Sequence, residues 1–494
     1  MTEIAASSSA DTNTGGSPEI GYGTKNYRNY VLGTLLVVYI FNFIDRTIIN
    51  ILTEPIKESF GVEDWQMGLL GGPAFAILYT FVGIPIARFA EKKHRVWIIA
   101  LSVALWSLMT VLCGFALSFL ALFVFRIGVS IGEAGCSPPA NSIIADYFIP
   151  EERSTAVSVY ALGIPLGGMV AYVFGGFVVG SLDGPSVAAL LNSWNWTWAA
   201  NALDWQNIEA WRVAFVVVGV PGLIVAMIVK MTIKEPPRGY TDPAHMQNKE
   251  QVGFKEVLKI LGTKPAYWHV TMGVTIASFV NYGVGQFMVS FLIRTHEMSI
   301  FDASVKIAMA LAVMASIGTY MSGYLADKYA TRFPKALALI PMFALLAVIP
   351  LHVTGYMTDS LWLAVPLLMV GQMLLYTYLC PLYAVPGGVV DSRMRATAVA
   401  VTLFIVNLLG YGLGPPLIGG LSTILNSMFL SGMDPALTLE ACKASGLTSA
   451  AQSACDSANA DGLQWSMIIF KCMYVWGVFH FYMASRTIQR DMGR

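Results

Sequence analysis

Four charged residues stand inside two strongly apolar runs. Asp45 and Arg46 lie in VVYIFNFIDRTIINIL (37–52), and Arg126 and Glu133 lie in the run at about 119–144. An ionised side chain in a bilayer-spanning helix costs at least about 2.5–3.5 kcal/mol on insertion scales, so it is kept where it faces water, a partner or a function. Glu133 follows Arg126 by close to two helical turns, which puts both on one face, roughly 10 Å apart along the axis. With the first run rising and the other descending, Asp45 or its neighbour falls level with Arg126, and the four form a column of alternating charge. Such a column supports two chemistries. A carboxylate whose partner cation moves during a conformational cycle changes its proton affinity, and a guanidinium freed from a carboxylate grips phosphate in two-pronged fashion. A static ion pair explains Asp45 with Arg126 but leaves Glu133 without a cation. Asp45 and Glu133 are therefore the expected proton-binding pair and Arg126 the switchable partner. Arg46 points about 100° away from Asp45 and is expected to meet substrate, snorkel or gate.

The elements that must position these groups are membrane helices. The chain has 494 residues, 56% hydrophobic and 12% charged, with a mean hydropathy of +0.62, against roughly 25% charged in soluble domains. Apolar runs long enough to span a bilayer recur at about 30–51, 67–86, 96–116, 119–144, 154–180, 212–231, 266–293, 302–325, 335–354, 360–388, 395–425 and 464–484. An all-α integral membrane protein with twelve transmembrane helices is expected, both termini on one side. Most of the 30 Lys and Arg then fall in the tails and the loops on that side, leaving Lys57, Arg212, Arg294, Lys306, Lys443 and Lys471 opposite. The positive-inside rule makes the termini cytoplasmic, and the expected location is a bacterial inner (cell) membrane.

Net charge is zero and no basic stripe exists, so nucleic-acid binding has no footprint. The histidines show no metal-ligand spacing, and no G-x-x-x-x-G-K-[ST] loop is present. No metal, cofactor, ATP-driven pumping or enzymatic activity is expected, the proton being the coupling ion.

An internal repeat organises the chain. RSTAVSV (153–159) recurs as RATAVAV (395–401), and ARFAEKKHR (87–95) has its counterpart in GYLADKYATR (323–332). The reading is two six-helix halves, 30–231 and 265–485, joined by a cytoplasmic linker at 232–264 and flanked by tails at 1–29 and 486–494. Duplicated halves around a central site are typical of secondary transporters.

GYLADK resembles the loop signature G-x-L-A-D-[RK] of the major facilitator superfamily. The resemblance implies that superfamily's fold and a conformational gate made of Gly323, Asp327 and Lys328 in the second half and Glu91, Lys92 and Arg95 in the first. It also places the first and fourth spans along the central cavity. FIDR in the first span, RIGVSIGEAGCSPPANSIIADYFIPEERSTA (126–156), WRVAFVVVGVPG (211–222), IKEPPRG (233–239) and FLIRTHEMS (291–299) are similar to the Spinster family. That resemblance implies a monomeric carrier of an amphipathic lipid such as a lysophospholipid or sphingosine-1-phosphate, coupled to protons and working by alternating access. A proton-coupled transporter of a small organic anion is the alternative, and a multispan enzyme the alternative from another class.

The second half carries no charge inside its expected spans. Its candidate cavity residues are Asn281, Tyr282 and Gln286, then Tyr376, Tyr378 and Tyr383, then Asn407 and Tyr411. A charged wall opposite an apolar, hydrogen-bonding wall suits an ionic head with an alkyl tail. GIPLGGMVAYVFGG (163–176) and GYGLGPPLIGG (410–420) allow close helix approach and bends; the second resembles an antiporter motif. Cys442 and Cys455 share a loop on the oxidising side and are candidates for a disulfide. Five tryptophans, Trp194, Trp196, Trp198, Trp205 and Trp211, read as an interfacial belt.

Overall fold

The structure is a computed structural model that describes residues 21–90, 93–181, 184–201, 204–241, 253–330, 332–391, 394–433, 437–444 and 446–493. Apolar composition without water forces every backbone group to bond within its own helix, and among the described residues no strand is present. Eleven helices are long and apolar enough to cross a membrane: Lys25–Ile51, Asp64–Gly83, Arg95–Gly114, Phe119–Tyr147, Glu151–Ser181, Ala210–Thr232, Asp302–Ala330, Ala336–Met357, Leu361–Gly388, Thr397–Gly432 and Ser449–Asp491. A bent pair, Pro265–Gln286 with Met288–His296 at 49°, makes the twelfth and stands seventh in order.

Local sequence explains the starts and breaks. Thr24 caps the first span, its hydroxyl accepting from the Tyr27 amide at 3.3 Å. Glu63 and Gln66 form a capping box that opens the second span, which then breaks at Gly72, just before Pro73. One π-helical stretch, Asp302–Ala308, opens the eighth span, and another, Val406–Tyr411, interrupts the eleventh. Such insertions cluster at functional places.

Within the first half the first span packs on the fifth, the third on the sixth, and the fourth on the second and third. In the second half the twelfth packs on the seventh, ninth and eleventh, and the tenth on the eighth and ninth. The two halves meet mainly where the second span lies on the eleventh and the fifth on the eighth, toward the face opposite the termini. Glycine makes the first contact possible. A Cβ on Gly68 would stand 2.5 Å from the Pro415 carbonyl oxygen, and one on Gly419 would stand 2.3 Å from that of Asp64. On the termini face, charges are satisfied within a half: Arg28 pairs with Glu152, and the Lys264 ammonium donates to the Asp491 carbonyl.

Two expectations change and one is met. The stretch 449–463, polar in composition, is helical and continuous with the twelfth span, and Lys471, counted among the cations opposite the termini, is buried within that span at 1% exposure. The second half therefore does hold a charged-type residue inside a span. Trp211 is 1% exposed and packs on Phe60 and Phe215, while Trp194, Trp196 and Trp198 are exposed as an interfacial belt requires. Cys442 and Cys455 are joined by a disulfide, Cα atoms 5.8 Å apart.

Candidate functional site

Asp45 and Arg46 leave the first span in different directions, as adjacent helical residues must. Asp45, 1% exposed, accepts a hydrogen bond from the Thr110 hydroxyl of the third span at 2.8 Å. Its backbone carbonyl accepts from Arg126 Nη1 at 3.0 Å. Arg126 thus meets Asp45 at the expected level, but it grips the main chain, so the expected carboxylate pair does not form. The physical reason is direction: the Asp45 side chain turns to the third span.

The cation missing for Glu133 is Arg46. Arg46 Nε lies 2.7 Å from Glu133 Oε2, and the guanidinium carbon stands 4.9, 4.5 and 4.7 Å from the ring centres of Phe43, Phe75 and Tyr79. Those rings and the carboxylate replace hydration. The expectation that Arg46 snorkels is therefore corrected, because its long side chain reaches down to the Glu133 level. Glu133 is fully buried while the Arg46 side chain keeps 21% exposure, so access to the pair is from the arginine side. Glu133 Oε1, Arg126 Nε and both amide atoms of Asn42 are buried without hydrogen-bond partners. Ser130 donates to the Phe75 carbonyl at 2.9 Å and so fixes the second span, with its rings, against the fourth.

The opposite wall brings most of its candidates together. Tyr411 donates to the Tyr282 hydroxyl, and Asn281 Nδ2 donates to the Tyr376 hydroxyl at 3.3 Å. Tyr378 is buried at 2% exposure within 6.1 Å of the Tyr376 ring. Asn407 lies in the π-helical stretch, half-buried. Tyr383 is 55% exposed and lies near Tyr378 and Tyr411 at the edge of this group. Gln286 is not a cavity residue: it is 3% exposed and donates across the halves to Thr53 at 3.2 Å.

Beyond Gln286 the far face is closed by a charge cluster. Arg294, at the end of the bent seventh span, makes two forked contacts. Glu54 receives Nη2 at 2.6 Å and Nε at 3.1 Å, and Asp64 receives Nη1 and Nη2 at 2.8 Å each. Lys57 reaches Asp64 at 2.7 Å, and Ser422 of the eleventh span donates to it at 2.7 Å. Arg294 and Ser422 belong to one half and the acids to the other, so this is an inter-half latch. Burial raises the Glu54 carboxyl, but Arg294 and then Lys57 outweigh it and hold it below its ordinary value.

The loop residues fall out differently. Arg95 is 1% exposed, and it donates to Glu235 at 2.6 Å, the Ser142 hydroxyl and the Pro236 carbonyl at 2.8 Å each, and Asp146. It ties the third and fourth spans to the segment after the sixth, all in one half. In the second half Lys328 lies 5.6 Å from the rings of Tyr324 and Tyr329, and a Cβ on Gly323 would meet nothing within 4 Å. Asp327 takes part in an electrostatic interaction with Cys380. Glu91 and Lys92 lie outside the described residues.

Thr110, Asn42, Glu54 and Asp64 are site residues that sequence reasoning missed. The acids between 54 and 64 are the one signal that was available, since they cluster just outside an apolar run.

The Major Facilitator Superfamily profile matches residues 35–415, and the chain belongs to that superfamily. It is a transporter of Spinster type. It is 40% identical to a crystallised protein described as a bacterial homolog to the human lysosomal transporter Spinster, in inward-facing and unoccupied conformation, with a TM-score of 0.89 over 95% of this chain and 99% of that one. An occupied inward-facing form of that homolog matches at 39% identity and a TM-score of 0.87. Among named relatives, an MFS-type efflux pump of Mycolicibacterium smegmatis is 30% identical over 80% of this chain and 84% of that protein. Protein spinster of Drosophila melanogaster is 28% identical over 83% of this chain and 65% of that one.

Proposed function

We propose that this chain is a proton-coupled carrier of an amphipathic lipid with an anionic head, of the lysophospholipid or sphingosine-1-phosphate kind, and works by alternating access. The observation that carries the reading is the Arg46–Glu133 pair, a guanidinium held by three rings and one carboxylate and still partly exposed. A phosphate that takes Arg46 away from Glu133 leaves a buried carboxylate without its cation, and that carboxylate then binds a proton. A proton arriving first frees Arg46 for the phosphate. Head-group binding and protonation are thus coupled at one residue. Asp45, held by Thr110 and next to Arg126, is the second proton-binding acid.

The hydrogen-bonded tyrosines opposite, Tyr282, Tyr376, Tyr378 and Tyr411, supply broad apolar faces for an alkyl chain and hydroxyls for a glycerol or amino-alcohol backbone. The latch at Arg294 closes the far face, and likeness to the inward-facing homolog supports an inward-open state in which the termini and the open side are cytoplasmic. The motif residues Arg95, Gly323, Asp327 and Lys328 then guard the cytoplasmic side. The protein acts as a monomer in a bacterial cell membrane and does no enzymatic chemistry.

A second reading is transport of a small organic anion, and the efflux-pump relative bears on direction alone, favouring export. Uptake into proteoliposomes of labelled lysophosphatidate and sphingosine-1-phosphate, against citrate and benzoate, separates the two. Saturable transport of the lipids alone supports the first reading, and transport of the small anions alone replaces it with the second.

A further inference from the structure

The carrier proposed above uses acids of the first half, whereas the second half holds a buried base. Lys471 is 1% exposed on the twelfth span. Its ammonium nitrogen has the Tyr474 hydroxyl at 3.4 Å and lies 5.3 Å from the centre of that ring. Among the described residues no carboxylate forms an ion pair with it. Facing it from the ninth span is His352, 1% exposed, both ring nitrogens without hydrogen-bond partners, with the backbone of Leu368 against the ring. One turn on, the hydroxyl of the fully buried Tyr356 also lacks a partner, its ring 5.9 Å from that of His352. The other titratable groups around the cluster are Tyr376 and Tyr378 of the tenth span, near Tyr474, and His296 of the seventh, behind Phe291. His296 interacts with Asp359.

An enclosed ammonium that has one weak hydrogen bond and no counter-charge has lost its hydration with little in return. A methionine of similar size fits such a place without that cost. Lysine is therefore placed where its proton can leave, with His352 facing it and Tyr356 next to His352.

The cluster is also joined to the latch. Tyr356 packs edge-on to Phe291 at 5.2 Å, and its carbonyl accepts from Gln464 of the twelfth span. Phe291 lies one turn before Arg294 on the bent segment Met288–His296, which itself packs on the twelfth span. We propose that Lys471, with His352 and Tyr356 beside it, is a second proton-binding site of the transport cycle, one that holds the far face closed when empty and releases it when loaded. Hydronium gives its proton to the Nζ lone pair and leaves water. The new charge needs solvation, the ninth and twelfth spans part from the bent segment, and Arg294 is drawn from Glu54 and Asp64. The inference rests on the proton-coupled reading, but its test needs no substrate.

Spin labels on Glu58→Cys and Ser360→Cys, at the far-face ends of the two halves, report opening in full-length protein in nanodiscs, in a background without the four free cysteines. The distance is followed from about pH 5 to about pH 10, the range that spans histidine and lysine titration. Wild type is expected to open on acidification with a step that Lys471→Met loses, remaining closed in that part of the range. Lys471→Arg, which cannot discharge, is expected to stay open throughout it. A Lys471→Met protein that titrates like wild type overturns the inference, as does a Lys471→Arg protein that closes normally. The double variant Asp45→Asn, Glu133→Gln keeps the two readings apart. If it retains the Lys471 step but shows no proton-driven transport, the second site stands; if it abolishes the whole titration, the second site falls.

Discussion

Arg46 and Glu133, 87 residues apart in sequence, are paired at 2.7 Å inside three aromatic rings. Glu133→Gln keeps the shape and removes the charge, so substrate binding should survive while pH-driven transport falls by about tenfold or more, a loss of at least about 1.4 kcal/mol of coupling. Arg46→Lys should fail differently. A lysine offers a point charge in place of a planar fork, so apparent lipid affinity should drop while residual transport keeps its pH dependence. Binding isotherms and uptake rates measured on the same preparations check both.

The latch predicts a conformational effect. Removing one partner from a buried pair costs about 3–5 kcal/mol, and Arg294 serves two acids at once. Arg294→Gln should shift the far face from closed to largely open, read as a longer distance between labels on Glu58→Cys and Ser360→Cys.

Gly68 predicts the same shift by sterics. A Cβ there meets the Pro415 backbone at 2.5 Å, and backbone cannot yield as a flexible side chain can. Gly68→Val should hold the halves apart at the far face and slow transport, while Gly323→Val, with open space around it in this state, should leave that distance unchanged.

Acidification should loosen the latch as well. Glu54 is raised by burial but lowered more by Arg294 and Lys57, so its net position is depressed in the closed state. A depressed carboxyl stabilises the closed state above its ordinary range, and that contribution fades as pH falls through the depressed value. Below about pH 4 a further opening should appear in wild type and be absent from Glu54→Gln, whose far face is already loosened at neutral pH.

The disulfide gives a simple count. Cys442 and Cys455 are bonded, and Cys113, Cys136, Cys380 and Cys472 are free. Alkylation of the unfolded, unreduced chain should therefore tag four cysteines by mass, and all six after reduction.

The sequence made some of this legible and hid the rest for identifiable reasons. Charge inside apolar runs pointed to Asp45, Arg46, Arg126 and Glu133, because a bilayer penalises them whatever their partners. Who pairs with whom was not legible: Asp45 and Arg46 point about 100° apart, and only the rotation of the first span decides which one faces the fourth. Arg126, assigned to the Asp45 carboxylate by level, takes its carbonyl instead. Gln286 sits where a cavity residue should be, yet the bend at Phe287 and the approach of Gly71 turn it toward the other half. The latch needed inter-half register, which no single helix encodes. The helix before Lys471 was not legible because SACDSANADG reads as a polar loop, and Lys471 itself was counted outside although it lies within the apolar run at 464–484.

The most direct test of the account is proton movement driven by substrate in proteoliposomes, comparing wild type with Glu133→Gln. The account predicts that a lysophospholipid or sphingoid phosphate moves protons through wild type and that the substitution abolishes this movement while lipid still binds. Undiminished lipid-driven proton movement through Glu133→Gln would contradict it.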